Sequence, residues 1–260
     1  MLTVLTSGKA APGVTTTTWA LALSWPRPVT VVDCDIAGGD MGPGMLAGRV
    51  GTDRGLLSWS AAARHDLPVA ASAALLAEHA VQLPERPGVS LIPGFGTATQ
   101  GQSFSGGAWE RMAGALGQTA VRHGRDALVD TGRLLTTRGC WPVVRAADRV
   151  LLTVRPTVRS VHAAQETVGR LRDELGDLAA VSAIVVGRGP YPAGEVAVAL
   201  GLPLIGELPD DRATAAALSD GEPMSLRAMR RSPLMRAASS LVRELAATTG
   251  PSLSSAGWAS

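Results

Sequence analysis

The chain of 260 residues reads as an α/β protein, with a mostly parallel central sheet flanked by helices on both faces. Three observations carry that reading. Apolar runs recur at Leu2–Leu5, Val29–Asp33, Val89–Ile92, Ala127–Val129, Val150–Val154 and Ala183–Val186. They are continuous rather than alternating, as in strands buried on both faces. Between most of them lie stretches long enough for a helix, including Ala108–Gly124 and Val158–Leu175. Several runs end in glycine, aspartate or proline, the residue types that shape the crevice at the carboxyl ends of parallel strands. A hydrophobic share of 46% against 18% charged residues suits one large domain with a sizeable core. That domain is expected over 1–248, with a flexible tail at 249–260.

The stretch Thr6–Thr18, T-S-G-K-A-A-P-G-V-T-T-T-T, connects the first apolar run to Trp19-Ala20-Leu21-Ala22-Leu23, which reads as the buried face of a helix. A glycine-bearing loop between strand and helix forms a phosphate cradle. Its glycines bring backbone N–H groups close to an anion, and the helix N-terminus adds partial positive charge. Gly8, Gly13 and Thr15 keep the G-x-x-x-x-G-x-T frame of a Walker A loop, with Thr15 at the Mg²⁺-ligand position. Val14 stands where the lysine of that motif belongs. Lys9 is the only lysine among 24 basic residues. A compact ammonium inside a phosphate loop is a good point-charge partner for phosphate.

The segment Ser7–Thr16 resembles the deviant Walker A loop, G-K-G-G-x-G-K-T-T, of the ParA/MinD family of P-loop ATPases. The resemblance implies a P-loop NTPase fold, with ATP or ADP and Mg²⁺ as cofactors. It implies nucleotide contacts at Gly8, Lys9, Ala10, Ala11, Pro12, Gly13, Val14, Thr15 and Thr16. Lys9 falls on the family's signature lysine, which reaches across a nucleotide-sandwiched homodimer to the partner's phosphates. Val14 falls on the ordinary P-loop lysine, so slow or lost hydrolysis is expected.

After the first helix, Trp25-Pro26-Arg27-Pro28 breaks the chain. The second strand ends in Asp33-Cys34-Asp35-Ile36-Ala37-Gly38-Gly39-Asp40, placing carboxylates where α/β sheets bind ligands. The family carries D-x-D here, and by resemblance Asp35 orients the attacking water and belongs with the metal. Asp53–Trp59 is similar to a helix start of the family, and Ala61–Ala80 reads as helix split by Pro68. Pro84–Gly88 reads as a turn. Thr97–Gly107, rich in Gly, Ser, Thr and Gln, reads as a mobile surface loop and a partner site. Ala127–Val129 followed by Asp130 is a Walker B pattern, in which the carboxylate approaches Mg²⁺ through its water shell and Gly132 faces a γ-phosphate. Arg133 is expected to face solvent.

Gly187 occupies a position where the family commonly has an asparagine that reads the adenine edge. Leu200–Asp211 is similar to the family's L-G-x-P-L-L-G-x-I-P-x-D, and Asp220–Pro223 to its G-E-P turn. The resemblance implies that Pro209 and Asp210 border the base. Ser232-Pro233 is a helix start with a capping serine and a first-turn proline. Leu234, Ala238, Leu241 and Leu245 then recur at helical spacing, as in a helix packed on the sheet. Arg227, Arg230, Arg231 and Arg236 form a basic surface whose functional reading is weak, non-specific DNA contact.

Other features narrow the function. A net charge of +2 makes no global case for nucleic acid or anionic membrane, and 3% aromatic content argues against a base-stacking platform. Cys34 and Cys140 form no C-x-x-C pair, and His65, His79, His123 and His162 have no metal-ligand spacing. A reducing cytoplasm is the expected compartment, polar, nucleoid-bound or membrane-associated through a partner. No signal peptide or transmembrane run is read. The expected function is a ParA/MinD-like nucleotide-dependent dimerisation switch in subcellular positioning, in chromosome or plasmid partitioning, division-site or cell-pole placement, acting on an unidentified protein partner. Its alternatives are a catalytically dead pseudo-ATPase scaffold and a localisation factor similar to the CpaE/TadZ proteins.

Overall fold

The computed structural model describes residues 1–8, 13–39, 41–46, 48, 51, 53–63, 67–83, 86–104, 106–134 and 139–247. The tail expected at 249–260 lies outside them. In chain order the elements are β1 (Leu2–Ser7), α1 (Val14–Ser24), β2 (Val29–Asp33), α2 (Leu56–Ala62), α3 (Val69–Glu78), β3 (Val81–Leu83), β4 (Arg86–Ile92), α4 (Ala98–Ser103), α5 (Gly106–His123) and β5 (Asp126–Arg133). They continue with α6 (Trp141–Arg145), β6 (Arg149–Val154), α7 (Val158–Leu175), β7 (Val181–Val186), α8 (Ala193–Leu200), β8 (Leu204–Leu208), α9 (Arg212–Ser219), α10 (Leu226–Arg231) and α11 (Pro233–Ala247).

The eight strands form one sheet in the order β3-β4-β2-β5-β1-β6-β7-β8. Every pairing is parallel except β3 with β4. β2 and β5 lie on one side of β1 and β6 to β8 on the other, so the carboxyl end of β1 is a topological switch point. Alternate side chains of each strand feed two cores. Val4, Val32 and Val129 face the layer that holds Trp59, Trp109, Met112 and Leu171. Leu5, Val31 and Leu128 face the layer of Trp19, Leu218, Leu234, Ala238, Leu241 and Leu245. The apolar stripe predicted for the last helix is therefore the face of α11 that packs over α1 and β8.

Most of the described part of Thr97–Gly107, expected to be a mobile loop, is helix. Ala98–Ser103 is helical, with the Thr97 side chain accepting from the Gln100 N–H at 3.3 Å. Gly101 is buried so close to the Ile36 backbone that a β-carbon would overlap it. Phe104 is buried edge-on against Trp109 and Phe95, with centroids 4.5 and 5.3 Å away. A polar composition is overridden here by a cap and two aromatic contacts. Residues 84 and 85 of the turn read at Pro84–Gly88 lie outside the described residues, and from Arg86 onward the segment is strand.

Asp211 ties the end of β8 to the last helix. It caps α9 by accepting from the Thr214 N–H at 3.2 Å and the Thr214 hydroxyl at 2.8 Å, and it also accepts from the Leu234 N–H at 3.4 Å. Burial alone would raise its pKa; the bonds from Thr214, Leu234 and Ser232 outweigh that and hold it below the ordinary value of 3.8. Asp211→Ala is expected to lower stability by about 1 kcal/mol at neutral pH. A depressed carboxyl pKa stabilises above the unfolded value, and that stabilisation is lost as the pH falls through the folded one. Denaturant titrations of both proteins should therefore differ at pH 7 and converge at pH values below 3.8.

Candidate functional site

The site is assembled where β1 gives way to α1. Gly8 is buried, and a β-carbon on it would stand 2.8 Å from the Ala163 carbonyl oxygen and 2.9 Å from Ala164 Cα. Only glycine permits that approach of the loop to α7. Lys9, Ala10, Ala11 and Pro12, four of the predicted contacts, lie outside the described residues. Gly13 holds the N-cap position of α1 at φ 110°, a conformation that favours glycine. It has no side chain to cap the helix, and the first turn carries no acidic residue. With neither, the positive end of this 11-residue helix suits an anion.

Val14 is only 5% exposed and packs in the apolar layer of Leu5, Leu151, Ile184 and Leu208. The position at which sequence reading found a missing phosphate contact is here part of the core.

Next to this helix end stand two carboxyl groups. Asp33 on β2 and Asp130 on β5 are paired in register, at 2% and 1% exposure. Asp130 accepts from the Thr15 hydroxyl at 2.7 Å and from the Gly132 N–H at 2.7 Å. Asp33 accepts from the N–H groups of Asp35 at 3.3 Å and Met41 at 3.4 Å. Gly39 and Gly94 press so close to it that a β-carbon on either would collide with its carboxyl group. Burial pushes the Asp33 pKa well above the ordinary value and the Asp130 charge adds to this, partly offset by the bond from Asp35. Asp35 is half-buried, accepts from the Ala37 N–H at 2.8 Å and lies against the α-carbon of Gly132.

The structure thus brings Thr15, Asp35 and Asp130 to the carboxyl ends of β2 and β5. It adds Asp33, to which sequence reading gave no separate role; the available signal was its place as the last residue of a fully buried strand. Hydroxyl and carboxylate oxygens in this arrangement suit a hard divalent cation that keeps part of its water shell. Among the described residues, no group of three or more His, Cys, Asp or Glu side chains could hold an ion by itself.

Beside the helix end runs a cleft of about 360 Å³, lined by Gly13, Thr16, Arg155, Val186, Pro209 and Asp210 among others. It unites four predicted nucleotide contacts, Gly13, Thr16, Pro209 and Asp210. Arg155 was not predicted to belong to it. The Arg227, Arg230 and Arg231 side chains line a separate surface hollow at α10, and Arg236 is exposed on α11. Arg133 is exposed at the end of β5. No described helix is long and apolar enough to cross a membrane.

Gly132 has φ +55°, and an added β-carbon would run into the Asp35 carboxylate. Gly132→Ala is therefore expected to destabilise the protein by more than about 1 kcal/mol. Part of that loss should return in the double variant with Asp35→Ala, where the obstructing carboxylate is gone. Thermal melts of the two single variants and the double variant measure this coupling.

No protein-family model matches the chain, and no curated protein matches it in sequence. Solved structures do match over nearly its whole length. A chain of the MinC:MinD cell division protein complex of Aquifex aeolicus is 20% identical with a TM-score of 0.72, covering 96% of this chain and 97% of that one. A ParA family ATPase of Chlorobium tepidum is 17% identical with a TM-score of 0.71, covering 94% and 98%. The septum site-determining protein MinD of Pyrococcus horikoshii, complexed with Mg-ADP, is 16% identical with a TM-score of 0.69, covering 94% and 96%. The chain has the P-loop fold shared by MinD and the ParA-family ATPases.

Proposed function

We propose that this protein is a Mg-nucleotide-dependent dimerisation switch of the ParA/MinD kind, acting in subcellular positioning with weak or absent hydrolysis. The observation that carries the reading is the Thr15–Asp130 hydrogen bond at 2.7 Å, at the start of a helix whose Gly13 and Thr16 line a cleft. An anion at the start of α1 and a cation at Thr15 and Asp130 would satisfy both groups together. Gly13 and Thr16 hold the phosphates, Asp130 and Thr15 the Mg²⁺ with its water, and Pro209 and Asp210 border the base. Asp35 positions a water, and Lys9 serves the partner subunit's nucleotide. The MinD proteins of the compared structures are complexed with MinC in one case and Mg-ADP in another, which supports a bound nucleotide and a protein partner here. The arginines at α10 and Arg236 supply a weak, non-specific DNA contact.

Weak hydrolysis follows from Val14. Phosphoryl transfer depends on charge aimed at the developing anion, and one well-placed electrostatic group is worth about 10²–10³ in rate. Valine supplies none, and its burial at 5% exposure turns it away from any such role.

Calorimetric titration with Mg-nucleotide should give saturable heat that Thr15→Ala weakens, and light scattering should show a dimer with a non-hydrolysable analogue. Absence of heat and of any thermal shift at millimolar ligand would overturn nucleotide binding; an unchanged monomer mass at saturation would overturn the switch. Phosphate release from wild type should be slow, and faster in a folded Val14→Lys variant. Turnover as fast as in a folded Val14→Lys variant, lost in Asp35→Ala, would make the protein a working ATPase instead.

A further inference from the structure

A surface hollow of about 370 Å³ at α10 is lined by Leu226, Arg227, Arg230 and Arg231. The helix is fixed so that these side chains stand outward. Ser225 caps it by accepting from the Ala228 N–H at 3.2 Å, Met229 is buried in the layer that holds Trp19 and Leu234, and Ser232 at its end accepts from the Met235 N–H of α11 at 3.2 Å. With Met229 inward, the four lining residues share the outer arc, as neighbours three and four positions apart. All four are exposed.

The charges on this face are unbalanced. None of the three arginines forms an ion pair with a described residue. Like charges at this spacing repel one another and weaken a helix. The helix dipole accounts for Arg230 and Arg231, which stand in the last turn, but not for Arg227, which stands in the first turn at the positive end. Carboxylates or phosphates from outside the chain would offset the repulsion. Leu226, 43% exposed, gives the same hollow an apolar wall.

A nucleic-acid duplex suits the arginines but not the rest of this face. Its backbone offers nothing apolar to Leu226, and its charge recurs along its whole length, whereas exposed Asp220 and Glu222 stand on the turn that leads into α10. One short stretch of acidic polypeptide can set carboxylates on the arginine forks and an apolar side chain against Leu226. We infer that the hollow at α10 docks an acidic peptide segment of a protein partner, with an apolar side chain between its carboxylates. This rests on the protein partner proposed above and specifies its chemistry. The weak DNA contact draws on the same arginines, so peptide and DNA exclude one another.

The test is selection of the full chain against a displayed library of random peptides, followed by fluorescence anisotropy of the enriched peptides. Their sequences should carry Asp or Glu on either side of Leu, Ile or Phe. The triple variant Arg227→Ala, Arg230→Ala, Arg231→Ala should weaken them about tenfold or more. Leu226→Ala should weaken them about threefold and leave duplex DNA binding unchanged. Excess duplex DNA should displace them at low salt. All four positions are exposed, and thermal melts check that the variants fold. Enriched peptides that lack acidic residues, or that bind the triple variant as tightly as wild type, overturn the inference and leave the partner to another surface. Duplex DNA that binds wild type, is lost in the triple variant and is displaced by no enriched peptide makes this face a DNA contact only and also overturns it. No enriched peptide at all overturns it as well, while the nucleotide titration above decides the switch independently.

Discussion

Two carboxyl groups side by side, nearly sealed from water, set the terms for the rest of this structure. Asp33 and Asp130 stand on neighbouring strands at 2% and 1% exposure. Such a pair is tolerated only where hydrogen bonds or a cation offset its desolvation and mutual repulsion. The surroundings are arranged accordingly. Thr15 is drawn to Asp130, and the chain after β2 folds back so that the Asp35 and Met41 N–H groups reach Asp33. Gly39 and Gly94 occur where any side chain would strike Asp33, and Gly132 where one would strike Asp35. Burial and the neighbouring Asp130 charge push the Asp33 pKa upward for the same reason, and a divalent cation would offset both.

Much of this architecture is legible in the sequence because local and tertiary signals agree. Val29–Asp33 and Val158–Leu175 have the same bounds in sequence and structure. The first is a continuous apolar run between a proline break and an acid. The second starts at a threonine cap that accepts from the Ser160 N–H. Where the signals conflict, composition misleads. Thr97–Gly107 is polar and glycine-rich, yet Phe104 anchors it to Trp109 and Phe95. The hairpin strand Val81–Leu83 has three residues and is defined only by its partner β4.

The site was legible in one half and not in the other. The glycine-bearing loop, D-C-D and the strand ending in Asp130 are contiguous motifs in the sequence, and Thr15 and Asp130 meet as hydrogen-bond partners. Arg155 could not be found that way. It lines the cleft and its guanidinium reaches a glycine 32 positions later, a juxtaposition that no single run of the sequence contains. Val14 shows a different limit: a substitution that reads as a lost functional group is also a gained core residue.

The order of the strands gives this arrangement a mechanical meaning. The acids belong to β2 and β5, on one side of β1, while Arg155, Gly187 and Asp210 follow β6, β7 and β8 on the other. β1 and the helix it feeds are the seam between the two halves. Parallel sheets are twisted, and their twist adjusts by small rotations between neighbouring strands. A rotation about β1 would swing the acidic half against the half that carries Arg155 and Asp210, with the start of α1 between them. A force on either side of the seam would then reach the other as torsion of the sheet.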